Sequence, residues 1–205
     1  MLLGLDVGGT FTDAVIIDGH RVVATAKRRT TKDNLMNGIG EALDAVLEGY
    51  DTSNIEQVTL STTVVTNTIV EAKEQVVDLY VITGPGRNVD DIFPVEPIYL
   101  QGYTDHRGIV VERTPADAVR GIANMVQARS GTDLAAVSAK FGVRNPHEEL
   151  SITEELKNTY HTISNGSLLS GSLNFPRRTI SAYFNSAVTP VFTVFKENVE
   201  DALRA

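Results

Sequence analysis

The feature that most constrains this sequence is a pair of glycines placed between two short apolar stretches at its start. Leu2–Val7 is an apolar run typical of a buried strand, and the glycines at positions 8 and 9 end it. Thr12–Asp18 is rich in β-branched residues, and a Gly-His pair separates it from the alternating stretch Arg21–Arg28. The sequence therefore predicts an antiparallel three-stranded opening whose first turn contains the two glycines.

Strands and helices alternate after this opening, as judged by the spacing of apolar residues. An antiparallel start followed by this alternation favours an α/β domain with a mixed sheet. His161–Leu169 is ambiguous between strand and loop. The later predicted strands are Gln57–Ser61, Asp78–Thr83, Gly108–Val111 and Leu134–Phe141, and the predicted helices are 35–47, Thr62–Lys73, 114–126, Pro146–Tyr160 and 174–204.

The composition excludes several classes of function. A chain of 205 residues with 42% apolar and 21% charged residues is long enough for one or two folded domains. Its net charge of −8 and lack of a basic patch argue against nucleic acid or an anionic membrane as a partner. It has no cysteine, which excludes disulfides and thiolate chemistry. No apolar run reaches the roughly 18 residues of a membrane span, so we expect a cytoplasmic protein without a membrane segment.

The segment from Asp6 to Asp13 carries the chemistry that the sequence suggests. It lies between two strands, unlike the Gly-rich loops of dinucleotide sites and P-loops, which lead into a helix. Glycines let a backbone approach a phosphate closely, and the hydroxyls of Thr10 and Thr12 add donors. Asp6 would hold a hydrated Mg²⁺ or orient a water. The alternative is a plain hairpin with an acid in its turn; the order of residues favours phosphate binding.

Five stretches together resemble one protein family. Leu3–Asp13 resembles the opening of the hydantoinase/oxoprolinase family, which belongs to the actin-like ATPase superfamily. Later motifs of the family are matched in the same order along the chain. These stretches are Thr62–Glu71, Gly102–Gly108, Val143–Glu149 and Phe175–Asn185, and the departures from the family pattern are Ser61, Ser181 and Gly84-Pro85-Gly86.

The resemblance implies a ribonuclease-H-like α/β fold of the actin-like ATPase type. Its mixed sheet would begin with three antiparallel strands, and an α/β elaboration would be added to it. We expect residues 1–76 and 161–205 to form the ATPase core and residues 77–160 the elaboration. A second ATPase domain is absent from the 205 residues, and the pattern of the last helix ends at Arg204-Ala205 without a cap. The sequence therefore predicts a fragment of a longer protein, or a chain that pairs with a separate subunit.

The resemblance also implies ATP-dependent opening of cyclic amides such as hydantoins and 5-oxoproline, or a related carboxylation. ATP with Mg²⁺ or Mn²⁺ would phosphorylate a carbonyl oxygen and so create a leaving group. The implied partners are a small cyclic amide and a C-terminal ATPase domain or partner subunit, while self-association stays open. Carried over to this sequence, the catalytic acids are Asp6 and Asp13, the phosphate-binding residues are Gly8, Gly9, Thr10 and Thr12, and Asp6 holds the metal through water.

Two further clusters are candidates for the walls of a substrate cleft. In a helix over 62–73, side chains four residues apart would line one side near the N-terminus, where polar ligands are favoured; ordinary capping is the alternative. The turn at 105–108 combines a carboxylate, an imidazole and a guanidinium, and a salt-bridged surface turn is its alternative. The candidates are Thr62, Thr63, Thr66 and Asn67 in the first cluster, and His106 and Arg107 in the second.

Two questions stay open at the level of sequence, and two further expectations accompany them. Glu149 is expected to organise a strand-to-helix corner, whereas the role of Arg177 and Arg178 is undecided between phosphate and acidic partners. The function has two rivals to a cyclic-amide hydrolase, namely a small-molecule kinase of the same superfamily and a non-catalytic assembly module. An isolated chain with only one wall of an ATP cleft should bind ATP weakly and turn over little.

Overall fold

The computed structural model describes residues 1–31, 35–86 and 90–204. Ala205, at which the sequence pattern of the last helix ends, lies outside these residues. The strands are β1 (Leu2–Val7), β2 (Phe11–Asp18), β3 (Arg21–Arg29), β4 (Gln57–Thr62), β5 (Asp78–Ile82), β6 (Ile98–Tyr99), β7 (Tyr103–Thr104), β8 (Val110–Glu112), β9 (Leu134–Ala139) and β10 (Thr162–Asn165). The helices are α1 (Leu35–Leu47), α2 (Val64–Val70), α3 (Ala116–Ser130), α4 (His147–Leu156), α5 (Gly166–Leu169) and α6 (Phe175–Arg204), and short 3₁₀ turns lie at Thr52–Asn54 and Asp90–Ile92.

The chain forms two compact units, of which the first comprises Met1–Lys73 and Pro190–Ala205. Its sheet has the order β3-β2-β1-β4, with β1, β2 and β3 antiparallel and β4 parallel to β1. This arrangement confirms the predicted mixed sheet with a three-stranded antiparallel start. Alternate residues of β1 and β2 pack against α1 and the end of α6. The buried apolar cluster consists of Leu3, Leu5, Val7, Ala14, Ile16, Ile39, Ala42, Leu43, Val46, Phe195 and Val199.

A β-bulge sets the register between β2 and β3. Ile17 pairs with Val22, but Ile16 pairs with Ala24, so Val23 is an extra residue in β3. A bulge of this kind shifts every later pair by one position. Asp13 consequently pairs with Lys27 and not with Ala26.

The second unit, Glu74–Thr189, is built on a parallel sheet with the order β10-β9-β5-β6. Strands β5 and β9 are buried over their whole length, as expected for a parallel sheet that is covered on both faces. Residues of α3 and α4 pack on one face, and the first half of α6 packs on the other. Two apolar clusters result, one with Val119, Ala123, Ile152 and Leu156, the other with Phe175, Ala182, Tyr183 and Ala187.

Residues 161–189 lie in the second compact unit, while the division into an ATPase core and an elaboration stays a prediction. They pack within the second unit, because β10 pairs with β9 and because α6 up to Thr189 packs on the second sheet. The ambiguous stretch after His161 is a strand followed by one helical turn. Of the described helices, none combines the length and the apolarity that crossing a membrane requires.

Two helix starts also differ from the prediction. Thr62 ends strand β4, so α2 begins only at Val64. Thr114 does not cap α3: its hydroxyl donates to the carbonyl of Gln101, and Pro115 occupies the cap position. The Thr114 hydroxyl is used away from the helix, whereas the Thr62 hydroxyl donates to the Val7 carbonyl and also accepts from the N–H of Val64, the first residue of α2.

Buried charges organise the second unit at the carboxyl end of β9. The fully buried Glu149 carboxylate accepts hydrogen bonds from the backbone N–H groups of Ala139, at 2.7 Å, and Ser167, at 2.8 Å, and from the Ser167 hydroxyl. Arg178 is also fully buried and donates to the carbonyls of Ser172 and Ala139. Burial lowers the pKa of Arg178, and the negative charge of Glu149 opposes this effect. The prediction that Glu149 organises a corner is confirmed, and Arg178 is a structural residue.

We expect Glu149→Gln to lower the free energy of unfolding by about 2 kcal/mol, because one amide oxygen cannot accept all three hydrogen bonds. Urea denaturation followed by circular dichroism measures the change. Glu154→Gln is the matched control, since Glu154 is exposed and forms an exposed ion pair with Lys157 across one helical turn. Its effect should stay within about 0.5 kcal/mol. Equal effects of the two substitutions would contradict the structural role of Glu149.

Candidate functional site

The candidate site lies in the first unit, where the parallel strands β1 and β4 end side by side. In the strand register Asp6 lies opposite Ser61, and Val7 opposite Thr62. The Thr62 hydroxyl donates to the Val7 carbonyl at 3.1 Å. The residues that follow each strand are thereby brought together, namely the glycine loop (residues 8–10) after β1 and the start of α2 after β4.

Thr30 holds the glycine loop in place. Its hydroxyl donates to the Gly8 carbonyl at 2.8 Å, and its backbone N–H donates to the Thr10 carbonyl at 2.9 Å. The hydroxyls of Thr12 and Thr30 are 3.1 Å apart. Because the single hydroxyl proton of Thr30 goes to Gly8, Thr12 must be the donor in this pair. A chain of hydroxyls therefore runs from Thr12 through Thr30 to the loop.

The position of Thr12 differs from the expected role. The sequence predicts Thr12 as a side-chain donor to phosphate, but its side chain is fully buried. The alternation of β2 turns it toward the core together with Ala14 and Ile16. In this structure Thr12 supports the loop from behind, and Thr10 is the exposed threonine of the pair.

The loop packs closely against its neighbours at both glycines. A Cβ on Gly8 would lie 3.1 Å from the Phe11 carbonyl oxygen, and a Cβ on Gly9 would lie 3.1 Å from the amide nitrogen of Asn67. The N–H of Gly8 donates to Phe11. Among the described residues, the N–H groups of Gly9 and Thr10 and the Thr10 hydroxyl have no hydrogen-bond partner. The loop thus offers three free donors to a ligand, which is the arrangement that binds anions.

A cavity of about 310 Å³ lies beside the glycine loop and is bounded by a polar wall (Thr62, Thr63 and Asn67). Asn67 donates to the Thr63 hydroxyl at 3.2 Å, so the predicted pair four residues apart is present. Thr66 is exposed and does not line this cavity. The expectation that a helix N-terminus favours polar ligands at this cluster is weakened, because α2 has only seven residues.

A charged row (Lys27, Asp13 and Asp6) crosses three neighbouring strands on the face of the sheet opposite the core. The three side chains line a groove of about 440 Å³. The Lys27 ammonium lies 2.7 Å from both oxygens of the Asp13 carboxylate. Asp6 is exposed and makes no hydrogen bond or ion pair with any described residue. Asp6 and Asp13 occupy paired positions, where two like charges repel each other.

The charged row fits a hydrated Mg²⁺. Mg²⁺ prefers oxygen ligands, keeps several waters and needs only one or two carboxylates together with phosphate oxygens. The free Asp6 carboxylate beside Asp13 meets that requirement, and a cation there would relieve their repulsion. Within residues 1–31, 35–86 and 90–204, no group of three or more metal-binding side chains forms a closed site. The available ligands thus suit a metal shared with a phosphate.

His106 and Arg107 belong to the second unit, in a turn that is organised around Asp105. This carboxylate accepts from the N–H groups of Ile109 and Arg107 and pairs with the guanidinium at 2.8 Å. The hydrogen bond from Ile109 and the contacts of Arg107 lower the pKa of Asp105. His106 is exposed. The turn has the form of the salt-bridged surface turn, which was the alternative left open by the sequence.

Two residues of the site were not predicted from the sequence. Thr30 lies 22 residues from the carbonyl that it holds, so no local pattern connects them. Lys27 faces Asp13 only because of the bulge in β3, and a regular two-residue hairpin would have placed Ala26 there. An alignment of the two strands that allowed for a bulge would have paired Lys27 with Asp13.

One comparison with known proteins identifies a family, and the solved structures show a shared fold. The model of the hydantoinase/oxoprolinase N-terminal region matches residues 2–160. No curated protein sequence matches significantly. An acetone carboxylase, solved without nucleotide, superposes with a TM-score of 0.74 at 18% identity, over 97% of this chain and 34% of the other. An ATP-dependent caprolactamase from Pseudomonas jessenii gives 0.72 at 21% identity, over 99% and 33%. The chain thus spans about a third of these proteins and shares their fold over that part.

We expect Thr30→Val to destabilise the protein by about 2 kcal/mol, since it removes two hydrogen bonds of the hydroxyl chain. Thr12→Val removes only one and should cost about 1 kcal/mol. Both substitutions keep the shape of the side chain, so urea denaturation compares the hydrogen bonds alone. A larger loss in Thr12→Val than in Thr30→Val would show that the chain of hydroxyls is wrongly assigned.

Proposed function

This chain belongs to the hydantoinase/oxoprolinase family, and from that premise we propose that it is the phosphate-binding half of an ATP-dependent enzyme. The observation that carries the proposal is the glycine loop with its three free donors. Thr30 fixes this loop, the loop lines the same cavity as the polar wall, and it directly follows β1, the strand that carries Asp6. A plain hairpin turn would need neither the close contacts of Gly8 and Gly9 nor an unpaired Asp6 beside it.

The residues take separate roles in this proposal. The N–H groups of Gly9 and Thr10 and the Thr10 hydroxyl donate to phosphate oxygens. Asp6 holds the metal through water, and Asp13 orients the groups around it. When bound, Mg²⁺ offsets the charge that develops on the phosphoryl oxygens during transfer. Thr62, Thr63 and Asn67 form a polar boundary of the cleft.

The proposed substrate is a small cyclic amide. Its carbonyl oxygen would take the terminal phosphoryl group of ATP, and ADP would leave. Water would then add to the activated carbon, and the ring C–N bond would break as the nitrogen takes up a proton, which leaves an acyl phosphate. A second water would hydrolyse this acyl phosphate to a carboxylate and inorganic phosphate. One structural neighbour is an ATP-dependent caprolactamase, which supports a lactam or a related ring. The other is an acetone carboxylase, so carboxylation of a ketone is the alternative reaction that the experiment must distinguish from ring opening.

We also propose that the adenosine pocket lies outside these residues. The chain spans about a third of its structural neighbours, and the described residues contain one glycine loop of this type. A C-terminal ATPase domain or a partner subunit would supply the second wall. Of the expected site residues, His106 and Arg107 have no role in this proposal.

We expect Asp6→Asn in the full-length protein to lower the kcat of amide-stimulated ATP hydrolysis by about 100-fold or more, because the metal loses its carboxylate. ATPase rates are measured with hydantoin, 5-oxoproline and caprolactam, and with acetone plus bicarbonate. Asp18→Asn is the matched control, since Asp18 is exposed at the far end of β2. A wild-type ATPase that Asp6→Asn leaves unchanged would favour an assembly module, and a stable phosphorylated product would favour a kinase.

The isolated 205-residue chain should bind MgATP only in the millimolar range, because it lacks the proposed adenosine pocket. Isothermal titration calorimetry of the purified chain with MgATP measures this affinity. A micromolar dissociation constant would contradict the division of the nucleotide site between two domains.

A further inference from the structure

We infer that Lys27 binds the terminal phosphoryl group of the nucleotide and that Asp13 positions it for this contact. The inference rests on the proposed function, because it assigns a further residue to that same site. No motif of the glycine loop includes Lys27. Its assignment comes from the strand register and from the contacts of its ammonium group.

The register places Lys27 at one end of the charged row. Asp6 pairs with Asp13, and Asp13 pairs with Lys27, so the three side chains lie side by side on one face of the sheet. Neighbouring strands are about 4.8 Å apart, which puts the backbone of Lys27 about 10 Å from that of Asp6. An extended lysine side chain covers more than half of this distance, and its ammonium is hydrogen-bonded to the Asp13 carboxylate.

The contacts of the ammonium leave one donor free. An ammonium group has three protons, and two are directed to the two oxygens of Asp13, each at 2.7 Å. The ring of Phe11 lies 4.8 Å from the ammonium and restricts it on one side. The third proton remains for a ligand in the groove that Lys27, Asp13 and Asp6 line. Lys27 is therefore held in one place and still has a donor to offer.

The charge of Lys27 suits a phosphoryl group held next to Asp6. Two carboxylates alone would repel a phosphate, even where a metal neutralises part of their charge. Lys27 cancels the charge of Asp13 and leaves one carboxylate for the metal. The group that fits between a metal on Asp6 and an ammonium on Asp13 is one with several anionic oxygens, and the terminal phosphoryl of ATP is that group in the proposed reaction.

The competing interpretation is an ordinary surface ion pair. The side chains of Lys27 and Asp13 are 56% and 47% exposed, and pairs so exposed contribute little to stability. Under this interpretation, replacing Lys27 would change neither catalysis nor the discrimination between ATP and ADP. Under the inference, it would change both while leaving ADP binding nearly intact, since ADP lacks the group that Lys27 contacts.

The test uses the full-length protein and the variants Lys27→Met, Lys27→Arg and Arg21→Met. Arg21 is an exposed cation at the other end of β3 and serves as the control. We expect Lys27→Met to lower the kcat of amide-stimulated ATP hydrolysis by about 100-fold and the affinity for a non-hydrolysable ATP analogue by about tenfold. ADP affinity should stay within about threefold, Lys27→Arg should restore part of the rate, and Arg21→Met should behave as wild type.

The outcomes separate this inference from the proposed function. If Asp6→Asn is inactive and Lys27→Met hydrolyses ATP within about threefold of wild type, the inference is wrong and the proposed function stands. If Lys27→Met loses ADP and ATP-analogue affinity equally and unfolds at a lower temperature, Lys27 is structural and the inference is again wrong. If the wild-type protein neither binds nor hydrolyses ATP in the presence of any of the amides, the proposed function fails, and the inference fails with it.

Discussion

The parallel pairing of β1 with β4 is the interaction on which the candidate site depends. Parallel neighbours end at the same edge of a sheet, so whatever follows each strand meets there. After β1 comes the glycine loop, while β4 ends at Thr62 and is followed by Thr63. The hydroxyl of Thr62 ties the two ends together through the Val7 carbonyl. The loop and the polar wall are far apart in the sequence, and the pairing of β1 with β4 brings them to one cavity.

Because side chains alternate along each strand, the two faces of the sheet have different roles. On β2, Thr12, Ala14 and Ile16 face the core and Asp13 faces the groove. Thr12 therefore contributes to the rigidity of the loop from the buried side, through Thr30, while the charges lie on the other side. A loop that must present its N–H groups to an anion benefits from such support, because donors held in place need no reorganisation when the ligand arrives.

Much of the first unit could be predicted from the sequence, because its strands alternate cleanly and glycines mark the turns. The bounds of β1 and α1 follow from the apolar spacing alone. The site was harder to predict, because it depends on register. One extra residue, Val23, decides that Lys27 faces Asp13, and an insertion of this kind leaves no mark in the hydrophobic pattern. The packing of residues after 161 was hard to predict for a similar reason, since only tertiary structure shows that β10 joins β9.

The charge balance of the row indicates which form of a nucleotide the site can accept. Asp6 and Asp13 carry two negative charges and Lys27 carries one positive charge, so the row has a net charge of −1. A free triphosphate would meet repulsion from Asp6, and the neutral donors of the glycine loop could offset only part of it. A divalent cation reverses the sign of the row to +1. Phosphate and metal should therefore bind together, each providing what the other lacks, and neither should bind tightly alone.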